Sequence, residues 1–203
     1  MTTSSEAGGF PEYKPASPPA DFGRLIEALR TIQDLAVSTD LPDDQLALAA
    51  EQAEKLAATM SPHVVPEGVS PAGRTMTLPG RGSLLMLPWT VEKFDAEGVR
   101  STGVFRRYHL GGNAAAHGGT LPLLFDDMFG MILHAHGGTI SRTAYLHVDY
   151  RAVTPLDQKL VVEGHVTGVE GRKTFIEATL KDMDGKLLAE GKALMLRLLP
   201  GQQ

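Results

Sequence analysis

The run AAAHGGTLPLLFDDMFG, residues 114–130, gathers the groups of this chain best suited to chemistry. His117-Gly118-Gly119 leads into a segment whose Leu121, Leu124, Phe125, Met128 and Ile132 recur at helical spacing, which predicts a helix over about 119–135 stopped by Gly137-Gly138. The start of a helix leaves four backbone N–H groups unsatisfied at the positive end of its dipole, and paired glycines let a ligand approach without a Cβ in the way. Pro122 in the first turn is tolerated, so N–H donors at Gly118, Gly119 and Thr120 form a candidate oxyanion site. On its own a His-Gly-Gly run is more often an ordinary loop-to-helix joint.

Asp126 and Asp127 follow two turns inside this apolar helix, about 100° apart, so at most one can face the apolar side. Asp127 is expected to face solvent. Asp126, with Gly130 clearing space one turn later, is expected to be a desolvated carboxylate able to act as general base or nucleophile. Asp126 is seven residues beyond Gly119, about 10 Å along the axis. One carbonyl cannot be held by that helix terminus and touched by the Asp of the same helix, so a joint reaction requires a site shared across a twofold dimer.

The rest of the chain supplies the frame. Residues 1–20, rich in Ser, Gly, Pro and Ala, read as a mobile tail. Residues 21–60 read as two amphipathic helices, the first behind a possible Asp21 cap and the second with Pro42 in its first turn. They form an N-terminal appendage expected to dock on the domain that follows, and 61–82 reads as a connecting loop. From 83 to 198 the pattern is strand, strand, helix and four strands. LLMLPWTVEKF and VRSTGVFRRYHL come first, and SRTAYLHVDYRAV, KLVVEGHVTGVE, RKTFIEATLKDM and KLLAEGKALMLRL close the chain. Glu170-Gly171 and Asp184-Gly185 mark tight joints, the second a type I′ signal. The reading is α+β, an antiparallel sheet wrapped on one long central helix.

Three stretches then carry a resemblance. HGGTLPLLFD (117–126), with its His117-to-Asp126 spacing, TAYLHVDYRAVTP (143–155) and VEGRKTFIEA (169–178) resemble the hotdog-fold acyl-coenzyme A thioesterases, and among them the long-chain enzymes of the superfamily-member-4 and -5 kind. The resemblance spans about residues 83–198 and implies a hotdog fold. It makes Asp126 the catalytic carboxylate, Thr143 the residue that orients the attacking water or the thioester, and Gly118 the oxyanion N–H, with His117 and Gly119 shaping the turn. It places Arg172, Lys173, Thr174 and Asp149 against coenzyme A. Small-substrate relatives carry Asn six residues before the His where this chain has Gly111, which leaves Asn113 as a substitute. Independently, a chain of net charge −5 needs a local cation pair to hold a phosphate-rich group, and Arg172-Lys173 at a turn is one.

Other chemistries fit less well. The absence of cysteine excludes disulfides, thiolate nucleophiles and Cys-ligated zinc, and suits a reducing, cytoplasmic address. His134 and His136 lack metal-ligand spacing to the aspartates, so no metal and no cofactor is expected. A Gly-x-Ser-x-Gly elbow, a basic aromatic nucleic-acid surface and an apolar run long enough for a membrane span are absent from the sequence. The expected function is hydrolysis of a medium- or long-chain acyl-CoA by a homodimer or dimer of dimers. The rival is a non-catalytic acyl-CoA-binding or sensing protein, which has no need of Asp126 and Thr143.

Overall fold

The computed structural model describes residues 14–138 and 140–199. Most of the expected N-terminal tail lies outside them. Two helices, α1 (Ala20–Ala36) and α2 (Asp43–Met60), precede the strands β1 (Thr90–Asp95), β2 (Gly98–Gly103), β3 (Leu110–Gly112) and β4 (Ala115–Ala116). Helix α3 (Thr120–Ala135) and four long strands follow: β5 (Ser141–Tyr150), β6 (Leu160–Glu170), β7 (Lys173–Asp182) and β8 (Leu187–Arg197). Six strands form one antiparallel sheet in the order β1-β2-β6-β7-β8-β5, and β3 and β4 pair as a separate ribbon.

Helix α3 lies on one face of the sheet and buries Leu121, Leu124, Phe125, Met128, Phe129, Ile132 and Leu133. Burial of each such side chain contributes about 1.5–3 kcal/mol. The sheet admits the helix through glycines. A Cβ on Gly191 would stand 2.7 Å from the Phe125 ring, and one on Gly164 would stand 2.8 Å from Ile132 Cδ1. Gly137 ends the helix with a left-handed φ of 78°.

Several local expectations are corrected. LLMLPW is not strand: β1 starts only at Thr90, because Pro88 offers no N–H to a ladder and both Leu87 and Trp89 turn into the core. The β3–β4 ribbon was not expected; its two-residue turn, Asn113-Ala114, has φ of 47° and 56°, the type I′ pattern. Asp184-Gly185 instead closes a longer turn in which only Gly185 has positive φ and donates to the Asp182 carbonyl. Asp21 does not cap α1, which begins after Pro19 without a side-chain cap. Only α1 docks. Its Ile26 and Arg30 are buried, and its Glu27 and Asp34 receive Arg106 at 2.6 and 2.7 Å, whereas α2 buries no residue. The segment before α1 is also held, since the Ala16 N–H donates to the Arg74 carbonyl at 2.9 Å.

His109 sits at the root of the β3–β4 ribbon, its Nδ1 accepting the Arg106 N–H at 2.9 Å and its carbonyl accepting the His117 N–H at 2.7 Å. Burial pushes its imidazole down to about 4. The unfolded chain therefore takes up this proton at higher pH than the folded one. Stability is full above about pH 6.5 and falls as the pH drops toward 4, by about 3 kcal/mol in all. Denaturation midpoints measured across this window should decline less steeply in His109→Gln than in the parent; equal slopes would remove His109 as the cause.

Candidate active site

Asp126 stands on a strip of α3 with Gly130 and His134, all exposed, because the sheet covers only the opposite side of the helix. The desolvation expected of this carboxylate is therefore not supplied within one protomer. Thr143, near the start of β5, donates from Oγ1 to Asp126 Oδ1 at 2.9 Å, with Met195 Sδ 3.6 Å from the same hydroxyl. The pair fixes one carboxylate oxygen and leaves the other toward the open side. A carboxylate so oriented can accept a proton from water or attack an electrophilic carbon.

The helix N-terminus differs from the expected trio of open donors. The Gly119 N–H is taken by His117 Nδ1 at 3.0 Å, and the Thr120 N–H by the His117 carbonyl at 2.9 Å. The Gly118 N–H has no acceptor among the described residues. His117 and Gly119 thus fix the turn and present one donor. Tyr150, at the far end of β5, donates its hydroxyl to the Gly118 carbonyl at 2.8 Å, a contact that no local sequence signal announces. Gly118 lies eight residues from Asp126, about 12 Å along the helix.

The hairpin residues fall at the Thr143 end of the sheet. Thr174 and Thr143 both pair with Met195, so the three share one row across β7, β8 and β5. Lys173 and Arg142 flank Leu196 in the next row. Arg172 is partly committed to the hairpin itself, its Nε donating to the Arg197 carbonyl at 3.0 Å. Asp149 is not brought to Asp126. It is six residues up β5 from Thr143, about 20 Å away, between His147 and Arg151 at 3.2 Å each. Asn113 is exposed at the ribbon turn, where its left-handed φ accounts for it. Gly111 cannot carry an Asn on this backbone, because its Cβ would stand 2.6 Å from His117 Cα.

Asp127 does not face solvent, contrary to the periodicity reading. Arg81 of the connecting segment grips it with Nη1 to Oδ2 at 3.0 Å and Nη2 to Oδ1 at 2.5 Å, and the two side chains are only 13% and 19% exposed. The sequence gives no sign of a partner 46 residues away.

Residues 113–189 match the thioesterase superfamily. A crystal structure of a thioesterase superfamily protein superposes with a TM-score of 0.77 at 25% identity, covering 89% of this chain and 97% of that one. The fold is the hotdog fold of the thioesterase superfamily. Acyl-coenzyme A thioesterase THEM4 from Rattus norvegicus is 35% identical over 85 residues, 41% of this chain and 36% of its own length, and the Xenopus laevis protein of that name is 33% identical over 86 residues, 41% and 38%. The chain spans just over a third of the length of these curated relatives. A hypothetical thioesterase protein from Streptococcus pneumoniae, crystallised with coenzyme A, shares the fold at a TM-score of 0.51 and 20% identity, over 53% of this chain and 86% of that one. No described helix is long and apolar enough to cross a membrane.

The two neighbouring aspartates should separate cleanly in stability. Asp127→Asn leaves Arg81 facing a neutral amide in a largely buried pair and should lower unfolding free energy by about 2 kcal/mol. Asp126→Asn, at an exposed position with one hydroxyl partner, should change it by less than about 0.5 kcal/mol. Urea denaturation of the two variants makes the comparison; equal losses would deny the Arg81 contact its structural weight.

Proposed function

We propose that this hotdog domain is an acyl-CoA thioesterase acting on medium- or long-chain thioesters. The observation that carries the reading is the Thr143-to-Asp126 hydrogen bond on the uncovered strip of α3, in a chain whose helix N-terminus offers the Gly118 N–H. Asp126 takes a proton from water as its oxygen attacks the thioester carbonyl. The oxyanion accepts from the Gly118 N–H, and collapse expels the coenzyme A thiolate, which is protonated from Asp126. Alternatively Asp126 attacks first and expels the coenzyme A thiolate, giving an acyl-carboxylate anhydride; water then opens it to the free acid, which restores the Asp126 carboxylate and releases the proton that the thiolate takes up. A donor placed at the oxyanion contributes roughly 3 kcal/mol in comparable enzymes.

Both groups can serve one carbonyl only if they come from different copies. Strand β5 is a sheet edge of 10 residues, longer than the six-residue β1 at the other edge, and among the described strands it pairs only with β8. Antiparallel pairing of β5 with a second copy, centred between Leu146 and His147, would set Thr143 opposite the partner's Tyr150. It thereby sets Asp126 near the partner's Gly118, closing the interval of about 23 Å between Thr143 and Tyr150 along one strand. A homodimer with two shared sites is the reading. Lys173, Thr174 and Arg172 of one copy, with the partner's Asp149, then flank the nucleotide portion.

Steady-state assays over a series of acyl-CoA chain lengths test the activity directly. Asp126→Asn should lower kcat by two orders of magnitude or more while acyl-CoA binding is kept; tight binding without turnover in the parent would instead make this an acyl-CoA-binding protein. Arg172→Ala or Lys173→Ala should raise KM for acyl-CoA more than for a thioester lacking the nucleotide, and the difference should shrink at high salt. Co-expressed Gly118→Pro and Asp126→Asn subunits should regain one working site per mixed dimer. Well-folded heterodimers that stay inactive would rule out the shared geometry.

A further inference from the structure

Beside Asp126 the uncovered side of α3 borders a groove of about 640 Å³. Its floor is the strip Asp126, Gly130 and His134, and three methionines, Met131, Met86 and Met76, are among the residues that line the rest, with Phe94 and Leu123. The groove is therefore continuous with the carboxylate at one end and mostly apolar beyond it. Methionines suit flexible apolar ligands because their unbranched, polarizable side chains adapt to them.

Gly130 is costly where it stands. A glycine inside a 16-residue helix weakens it relative to alanine, and the fold of the protomer gives no reason for one here. Its φ is not left-handed, and a Cβ built on it meets nothing within 4 Å, unlike those on Gly164 and Gly191. Within the protomer the missing side chain leaves the groove open next to Asp126. A local rule broken without a packing reason is what a binding site leaves behind.

The opposite wall comes from the segment that precedes the sheet, and Arg81 ties it to α3. Arg81, at a left-handed φ of 54°, accepts the Gly73 and Thr75 N–H groups on its carbonyl at 3.0 and 3.2 Å. Its guanidinium grips Asp127, the neighbour of Asp126. Arg30 of α1 holds the same loop, with Nη2 donating to the Pro79 and Ser83 carbonyls at 3.0 and 2.8 Å.

We propose that the segment N-terminal to the sheet is a wall of the acyl site, that Gly130 opposite it sets the acyl length accepted, and that Arg81 is a positioning residue holding that wall through Asp127. The inference rests on the thioesterase reading above and specifies its substrate. From Asp126 to His134 the floor runs eight residues, about 12 Å. At ~1.25 Å per carbon, the advance that single C–C bonds allow, an unbranched acyl chain of about eight to ten carbons fills it.

The test compares decanoyl-CoA with butanoyl-CoA by kcat/KM and, separately, by calorimetric binding. Gly130→Leu should lower the decanoyl-to-butanoyl ratio at least tenfold, and Met76→Trp, which fills the groove from the other wall and leaves the helix alone, should do the same. Arg81→Ala should raise KM for decanoyl-CoA with kcat kept, where mere loss of folded protein would reduce the rate on both substrates together. Ratios unchanged within threefold in Gly130→Leu and Met76→Trp would overturn the proposal. A parent protein that hydrolyses neither substrate, but whose binding of decanoyl-CoA is weakened tenfold by Gly130→Leu, would overturn the thioesterase reading and leave the groove assignment standing.

Discussion

Close packing of α3 against the sheet is the constraint from which the other features follow. Phe125, Phe129 and Met128 have no exposed surface, and Gly191 and Gly164 remove the side chains that would stand against Phe125 and Ile132 and hold the helix away. Once this face is committed, helix periodicity leaves little freedom. Positions 126, 130 and 134 fall on the uncovered side and 127 on the flank between. The same packing sets the N-terminus of α3 beside the end of β5, where Tyr150 reaches the Gly118 carbonyl, and brings Thr143 to Asp126 two turns further on.

The segment before the sheet is held by a different physics. Leu87 and Trp89 carry its end into the core, but α1 buries little apolar surface apart from Ile26, and the polar attachment of the segment runs through three arginines. Arg106 joins α1 to the sheet domain by two carboxylates, Arg30 enters the interior to meet loop carbonyls, and Arg81 carries the loop onto α3. Burial lowers the Arg30 guanidinium below its ordinary value, the mark of a cation held by neutral carbonyls rather than a carboxylate. Planar guanidinium groups suit this work, since each can bridge acceptors on two elements at fixed geometry. Helix α2, with no such anchor and no buried residue, stays at the periphery.

A single protomer separates the groups that the proposed chemistry would need together. Gly118 and Asp126 occupy one rigid helix, and Thr143 and Asp149 one extended strand, so no side-chain rotation shortens either interval. The exposed edge of β5, a long strand whose described neighbour in the sheet is β8, is a feature able to supply the complement.

Much of this was legible in the residues. The central helix follows from the spacing of Leu121, Phe125, Met128 and Ile132. The four closing strands follow from alternation between turn signals, and an antiparallel sheet on a central helix follows from their order, while the hotdog fold was implied by the resemblance of residues 117–126, 143–155 and 169–178. Asp126 and Gly130 drew notice because an acid and a glycine are out of place within an apolar helix, a purely local anomaly. The contacts decided only by the tertiary structure are long-range and polar. Asp127 looks like a solvent residue by periodicity, and only the return of a loop 46 positions upstream buries it against Arg81. The Gly119 N–H looks open until His117 folds back on it. Helical and strand periods report which way a side chain points from its own element. Which distant group meets it there depends on how the elements are stacked, and short-range pattern carries no record of that.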